Sequence, residues 1–427
     1  MAGEDILKML DRIPLELKGL INKVRQQASA GGLRVYLVGG FVRDLILGVK
    51  NLDLDIVIEG DGIKFAQVFG KSTGGKVTVH KSFGTATLKL DSGLKIDFSS
   101  ARKEFYPKPA HLPLVSPGLL RDDLSRRDFT INAMAISLHE GRLIDYFCGI
   151  KDLENKKIRI LHDLSFSDDP TRILRGIRFE QRLHFNIEPK TLRLLKEAVQ
   201  SGFLQMVHPH RTRDDLILAL KEQEPVKNIK RMDQLVGFTF IHPKLKVTAR
   251  TYAYLMSLEK EIKWFNKNYP RRRGLDTWLI YFIGLLDHLS ARATVDICKR
   301  LGLRKGEAKR ILTSRGARRT FIAALSSREF KPSKIYALLE PLSYETIISI
   351  RAKHKSRTLR NNIAAFLEIY NGMCILVSGS DLRCLGVPPG PRYKKVFSCV
   401  LNAKLNGKVR NKEEELLLIR ELLKTGA

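Results

Sequence analysis

The chain has 427 residues, with 75 Lys and Arg against 45 Asp and Glu, for a formal net charge of +30. This length holds two to four domains without disulfide staples, and 44% hydrophobic with 28% charged residues excludes a disordered or collagen-like chain. The positive excess goes well beyond what solubility needs and points to a polyanionic partner, most simply nucleic acid.

Ile6 to Ala28 repeats apolar residues at helical spacing through Ile6, Leu10, Ile13, Leu17, Ile21 and Val24, and Gly31-Gly32 breaks the run. The opening MAGEDILKMLDRIPLEL is acidic where a signal peptide is basic, and no apolar run nears the ~18 residues of a membrane span. A cytoplasmic protein without membrane contact is expected. The five cysteines, Cys148, Cys298, Cys374, Cys384 and Cys399, are scattered and form no C-x-x-C pair, which fits reduced structural thiols.

Residues 31–150 have the character of an α+β head. Val35–Val38 predicts a strand, Gly39-Gly40 a turn, and Phe41–Leu47 a helix. Leu52–Ile58 alternates as a strand and is followed by turns at Gly60 and Gly62. Lys76–His80, Thr85–Leu90 and Leu94–Phe98 predict three short strands without helical crossovers, hence an antiparallel or mixed sheet. From Lys151 the pattern turns helical, as in Pro170–Arg182, Pro189–Val199, Asp214–Glu222 and Leu275–Leu286. The expected domains are an N-terminal helix (1–30), the head (31–150), and an all-helical neck (151–224), body (225–331) and tail (332–427). Arg300 to Arg360 carries 16 basic and 4 acidic residues, which suits a grip on a phosphate backbone.

The chemistry-bearing residues cluster in the head and neck. Asp53 and Asp55, two apart on a strand, share one face with Cα atoms ~6–7 Å apart. Two such carboxylates repel unless a cation lies between them, and Mg²⁺ takes one or two carboxylates plus substrate phosphate oxygens. Alone, D-x-D in a strand is a weak signal, and a solvated strand face is the commoner reading. Gly39-Gly40 before a helix lets backbone N–H groups approach a phosphate, and Arg43 in the first turn can reach the same group.

VGGFVRDLILG, NLDLDIVIEG, RRDFTINAMA and DDPTRILRGIRFEQRLHFNIEP together resemble the class II tRNA nucleotidyltransferase and bacterial poly(A) polymerase family, across about residues 33 to 190. Weaker similarity continues through VHPHRTRDDL and SGSDLRCLGVPPGP. The resemblance implies a template-independent enzyme that transfers CMP or AMP from CTP or ATP to a tRNA 3′ end and releases pyrophosphate. It makes Asp53, Asp55 and Asp97 the metal-binding catalytic carboxylates, with Mg²⁺ as cofactor. It puts the triphosphate on Gly39, Gly40 and Arg43 and the ribose near Arg126, Arg127 and Asp128. Asp169 and Arg172 would read the base edge, with Asp168 orienting Arg172, while Arg175 and Arg178 continue that helix face toward phosphates or the primer. An Asp acceptor beside an Arg donor selects C and A, whose exocyclic groups donate. Helix capping by Asp169 ahead of Pro170 is compatible with that role.

The partners implied are the tRNA acceptor arm, ATP and CTP, with no obligate protein partner. Full CCA addition and A-only addition both remain open, with poly(A) polymerase third. The 25-residue stretch Ala101–Ser125 matches the family's flexible loop and disfavours a CC-only enzyme. A retired head acting only as an RNA-binding module is disfavoured because Asp53, Asp55 and Asp97 are all present. A small-molecule nucleotidyltransferase would not need the basic helical half.

Overall fold

The computed structural model describes residues 13–315 and 319–424. The chain divides into two compact units, Met1–Val236 and Gly237–Ala427. Helix α1 (Leu15–Ala30) packs Leu17, Leu20, Ile21 and Val24 into the first unit; Ile6 and Leu10 of the expected helix lie outside the described residues.

The first unit is built on a seven-stranded mixed sheet. Its strands are β1 (Arg34–Val38), β2 (Leu54–Glu59), β3 (Lys76–His80), β4 (Thr85–Lys89), β5 (Lys95–Ser100), β8 (Met134–Ser137) and β9 (Leu143–Asp145). Their order across the sheet is β3-β4-β5-β2-β1-β8-β9. Only the β2–β5 pair is parallel. The crossover that makes it parallel includes α3 (Gly62–Thr73), whose first residue, Gly62, reads as a turn in the sequence. Asp61 caps α3 by accepting from Lys64 N–H at 2.9 Å, and Gly74 ends it in the left-handed region at φ 71°. Phe65 and Phe69, one helical turn apart, bury their rings against Phe98 at 5.6 and 5.7 Å between centroids. Gly62 is required there, since a Cβ would lie 2.7 Å from the Ser100 amide nitrogen.

Strand parity assigns the two faces. Leu37, Ile56, Ile58 and Phe98 are buried residues of the face under α3. Tyr36, Val38, Val57, Asp55, Asp97 and Ser99 share the other face. Leu120 and Leu124 of α4 (Leu120–Ser125) close part of that second face over Tyr36, Val38 and Val57. The rest of it stays open and carries the carboxylates. Two boundaries differ from expectation. Strand β2 begins at Leu54, so Asp53 precedes it and is exposed. Ala101–Ser125 is not loop throughout: it holds the hairpin β6 (Arg102–Phe105) and β7 (Leu114–Pro117) and then α4.

The unit ends in helices. These are α5 (Gly149–Glu154), α6 (Ser165–Asp168), α7 (Thr171–Leu183), α8 (Pro189–Gln200), α9 (Phe203–Met206), α10 (Pro209–Leu220) and α11 (Pro225–Leu235), with the two-residue strands β10 (Lys157–Ile158) and β11 (Asn186–Ile187) paired in parallel between them. Pro at the first position of α10 moves that helix start five residues ahead of the expected Asp214. Helix α7 buries Ile173, Leu174, Ile177 and Phe179, and Arg172 goes inside with them.

All regular elements described in the second unit are helical, from α12 (Ala249–Asn268) and α13 (Thr277–Leu286) to α21 (Pro391–Leu405) and α22 (Lys412–Lys424). Helix α13 is buried along Trp278–Leu286, as its apolar surface on every side requires. Glu345 is fully buried and accepts from Arg273 at 2.8 Å and from the Asp276 N–H at 3.1 Å. Arg351 pairs with Glu261 at 2.6 Å and lies 3.6 Å above the Trp264 ring. Of the five free cysteines only Cys298 is buried; the other four are exposed, so the structural reading holds for Cys298 alone.

Candidate active site

A cavity of about 630 Å³ lies in the first unit, on the open sheet face between the strands and α7. Asp55 of β2 and Asp97 of β5 are register partners in the parallel pair, so both carboxylates enter it side by side. Asp97 accepts from Thr87 Oγ1 at 2.5 Å and from Lys95 Nζ at 2.6 Å. Burial pushes the Asp55 carboxyl up to about 6, with Asp97 and Asp53 adding to the rise and Arg127 opposing it. A half-buried carboxylate beside a second carboxylate is short of positive charge, and its hard oxygen donors suit a divalent cation. Asp53 is not part of the cavity wall, and its N–H donates to Asn51 Oδ1 at 2.9 Å. Among the described residues no group of three metal-ligating side chains is assembled. The facing pair Asp55 and Asp97 is the donor set in place.

The Gly39-Gly40 turn joins β1 to α2 (Gly40–Ile46) at the same end of the sheet. Gly39 has φ 72°, and a Cβ there would stand 2.7 Å from Arg127 Nη1 and 3.5 Å from Asp55 Oδ2. Only glycine leaves room for the carboxylate and the guanidinium together. Arg43 is buried and committed: Nε donates to Asp44 at 2.8 Å, Nη1 donates to Asn132 at 2.6 Å, and the guanidinium lies 5.1 Å from the Phe179 centroid. Arg127 is less so: it donates to Asp123 at 3.0 Å, while its buried Nε has no partner. Burial pushes Asp123 up, yet Arg127 and Arg126 beside it hold its carboxyl below the usual range. Arg126 bridges Asp123 at 2.6 Å and Glu104 at 3.1 Å, and Asp128 accepts from Asn132 at 2.9 Å.

Helices α6 and α7 supply the far wall. Arg172 donates to Ser165 Oγ at 2.6 Å and to the Arg126 carbonyl at 2.7 Å. Asp168 makes no direct hydrogen bond to Arg172 and lies 4.0 Å from His162, although Arg172 is close enough to pull its carboxyl down against burial. Helix α6 ends at Asp168 and α7 starts at Thr171, so the two side chains sit on separate helices. Asp169 Oδ1 accepts from Thr171 N–H, from Thr171 Oγ1 at 2.7 Å and from Arg211 at 2.8 Å. Its Oδ2 takes no hydrogen bond from the described residues. Arg175 pairs with Asp128 at 2.6 Å, and Arg178 stacks on Phe179 and reaches Glu222 at 3.5 Å.

Several residues of the cavity were not singled out in the sequence. Arg211 anchors Asp169 and also donates to the Ala110 carbonyl at 3.2 Å. Tyr106 of the hairpin segment donates to Glu104 Oε2 at 2.8 Å. Behind the cavity wall, burial pushes Asp215, next to Arg175 and Arg178, up to about 6. Position along the chain gives no hint of these convergences, although R-D-D on a helix behind a Pro is a visible cluster.

Residues 35–159 match the poly A polymerase head domain. The A-adding tRNA nucleotidyltransferase of Geobacter sulfurreducens is 40% identical over 96% of this chain, which spans about half (48%) of that relative's length. The A-adding tRNA nucleotidyltransferase of Halalkalibacterium halodurans is 34% identical over 94% of this chain and 92% of its own length. Among solved structures, the Thermotoga maritima CCA-adding enzyme complexed with tRNA(CCA) superposes with a TM-score of 0.72 at 35% identity, over 98% of both chains. Residues matched along nearly the whole chain, over a shared fold, establish that this chain belongs to the class II tRNA nucleotidyltransferase and poly(A) polymerase family.

Proposed function

We propose that the chain transfers a nucleotidyl group from ATP or CTP to the 3′-hydroxyl of tRNA, completing or repairing its CCA end. The observation that carries this reading is the register-paired Asp55 and Asp97 beside the Gly39 turn, facing Asp169 and Arg172 across one cavity. In the reaction the primer 3′-oxygen bonds to the α-phosphorus, the bond from that phosphorus to the bridging β-phosphate oxygen breaks, and pyrophosphate leaves. The hydroxyl proton passes to a carboxylate or water. A divalent cation on Asp55 and Asp97, Mg²⁺ in this reading, supplies charge neutralisation for the phosphoryl oxygens. Arg127 holds spare donors for the triphosphate or ribose, and Asp53 completes the ligand set from outside the strand. Asp169 Oδ2 accepts from the exocyclic amine of A or C, and Arg172 donates to the ring acceptors. Arg175 and Arg178 add positive charge along the path to the primer. A cytoplasmic site of action follows from the substrate.

Two relatives named A-adding favour the terminal AMP step as the minimal activity, with full CCA addition the wider reading. The test uses tRNAs ending at the discriminator base, at C and at CC, each offered CTP, ATP or both with Mg²⁺. Growth of all three to CCA establishes full addition. A single A on the CC-ended tRNA alone restricts the enzyme to the last step. A long A ladder makes it a poly(A) polymerase, and no incorporation overturns the reading.

A further inference from the structure

The sheet order sets a direction for the reaction. From one side to the other run β1 with the Gly39 turn, β2 with Asp55, β5 with Asp97, and β4 with Thr87 and Thr85. In-line displacement needs the attacking and leaving oxygens on opposite sides of the phosphorus. With pyrophosphate toward the Gly39 turn, the attacking hydroxyl arrives from the side of Asp97 and β4. The structure places an aromatic ring there. Phe83 ends the short turn that leads into β4, is 39% exposed, and lines the cavity at that edge. Behind it lies a second hollow of about 440 Å³, which shares Phe83 and Arg102 with the first and adds Lys81 and Ser116. Such a volume suits a small ligand.

Phe83 is held firmly. Its carbonyl accepts from Arg102, whose guanidinium lies 5.9 Å from the ring centroid. The next carbonyl, of Gly84, accepts from Ser100 N–H at 3.0 Å. The charges around the hollow are Lys81 and Arg102 against Asp61, and Asp61 is engaged in capping α3. Arg102 is itself paired with Glu104 at 2.7 Å, which leaves Lys81 as the cation on offer. An exposed aromatic ring on a turn beside a cation is the combination that binds single-stranded nucleic acid without sequence preference.

We propose that Phe83 and the adjoining hollow form the primer subsite, with Phe83 stacking on the 3′-terminal base of the RNA, Lys81 facing its phosphate, and Arg102, paired with Glu104, holding the Phe83 turn in place. The proposal rests on the nucleotidyltransferase reading for its ligand. It makes Phe83 a positioning residue for the attacking hydroxyl, separate from Asp169 and Arg172, which face the incoming nucleotide.

The test uses the full chain and tRNA bearing 2-aminopurine as its 3′-terminal nucleotide, whose fluorescence is quenched by stacking. The wild type is expected to quench it. Phe83→Ala should lose the quench and raise KM for CC-ended tRNA about tenfold while KM for ATP stays put. Phe83→Trp should restore both, and Phe83→Leu, which keeps apolar volume, should not. An unchanged quench in Phe83→Ala, or equal shifts in both KM values, overturns the proposal. Quenching without incorporation by the wild type supports the subsite and overturns the activity reading, since binding needs no chemistry.

Discussion

The two units differ in how they use charge. Residues 1–236 hold 38 basic and 30 acidic residues, net +8, while residues 237–427 hold 37 and 15, net +22. In the first unit cations and anions converge on one cavity, and nearly every Arg there has a named partner. In the second the acids are few, and the best buried of them, Glu345, Glu261 and Glu415, are spent on internal pairs. Much of the remaining positive charge faces solvent, as at Arg304, Lys305 and Lys309. Paired charge in a cavity shapes and positions; unpaired charge on a helical surface attracts a polyanion. The difference fits the proposed reading, with chemistry and selection in the first unit and retention of the RNA in the second.

The sharpest break comes from the carboxylates. Asp55→Asn and Asp97→Asn should each cut nucleotide incorporation by at least about 10³-fold while tRNA affinity stays near wild type. Loss of tRNA binding in step with activity would erase the proposed separation. Next in size is Arg172→Ala, which should lower the preference for ATP over GTP and UTP by about 10²-fold. Arg172 donates to Ser165 and to the Arg126 carbonyl, so a thermal melt must accompany the assay. A stable variant with unchanged selectivity would remove Arg172 from the reading of the base.

The second unit answers to salt. Replacing Arg304, Lys305 and Lys309 together by Gln should weaken tRNA binding roughly tenfold and flatten the slope of log K against log salt by about 2 to 3. KM for ATP should not move. If the slope is unaltered, these three side chains do not meet the RNA backbone.

What could be read in advance followed the same division. Helical periodicity and the short β-rich runs carried most element types, because apolar spacing reports burial directly. The helix Gly62–Thr73 went unread because two glycines ahead of it look like turn signals, although Phe65 and Phe69 stand one turn apart behind the Asp61 cap. Asp55 and Asp97 were named from motifs, but their register pairing depends on a parallel crossover that no local pattern encodes. Arg172 hydrogen-bonds to position 165 and to the carbonyl of Arg126, 46 residues upstream, and neither partner is visible from the motif that holds Asp168. Arg211 is 42 residues from the Asp169 it anchors. Local pattern finds the candidate residues of the cavity; the ones that hold them come from elsewhere in the chain.

The smallest effect tests how the arginines of the cavity wall are balanced from behind. Asp215 has its carboxyl pushed up to about 6, first by burial and then by Asp169, while Arg175 and Arg178 pull it down. An acid whose folded value lies above its ordinary 3.8 is protonated more readily in the folded chain. The stability it contributes therefore falls as pH rises from about 4 through about 6, and the cost of the buried charge is complete above that window. Asp215→Asn removes the cost. The variant should melt above wild type at pH 8, by on the order of 1 kcal/mol, and the gap should close toward pH 4.5. A variant less stable than wild type at pH 8 would mean that Arg175 and Arg178 depend on the Asp215 charge more than burial penalises it. Arg175 and Arg178 would then need the Asp215 charge behind them to stay in place.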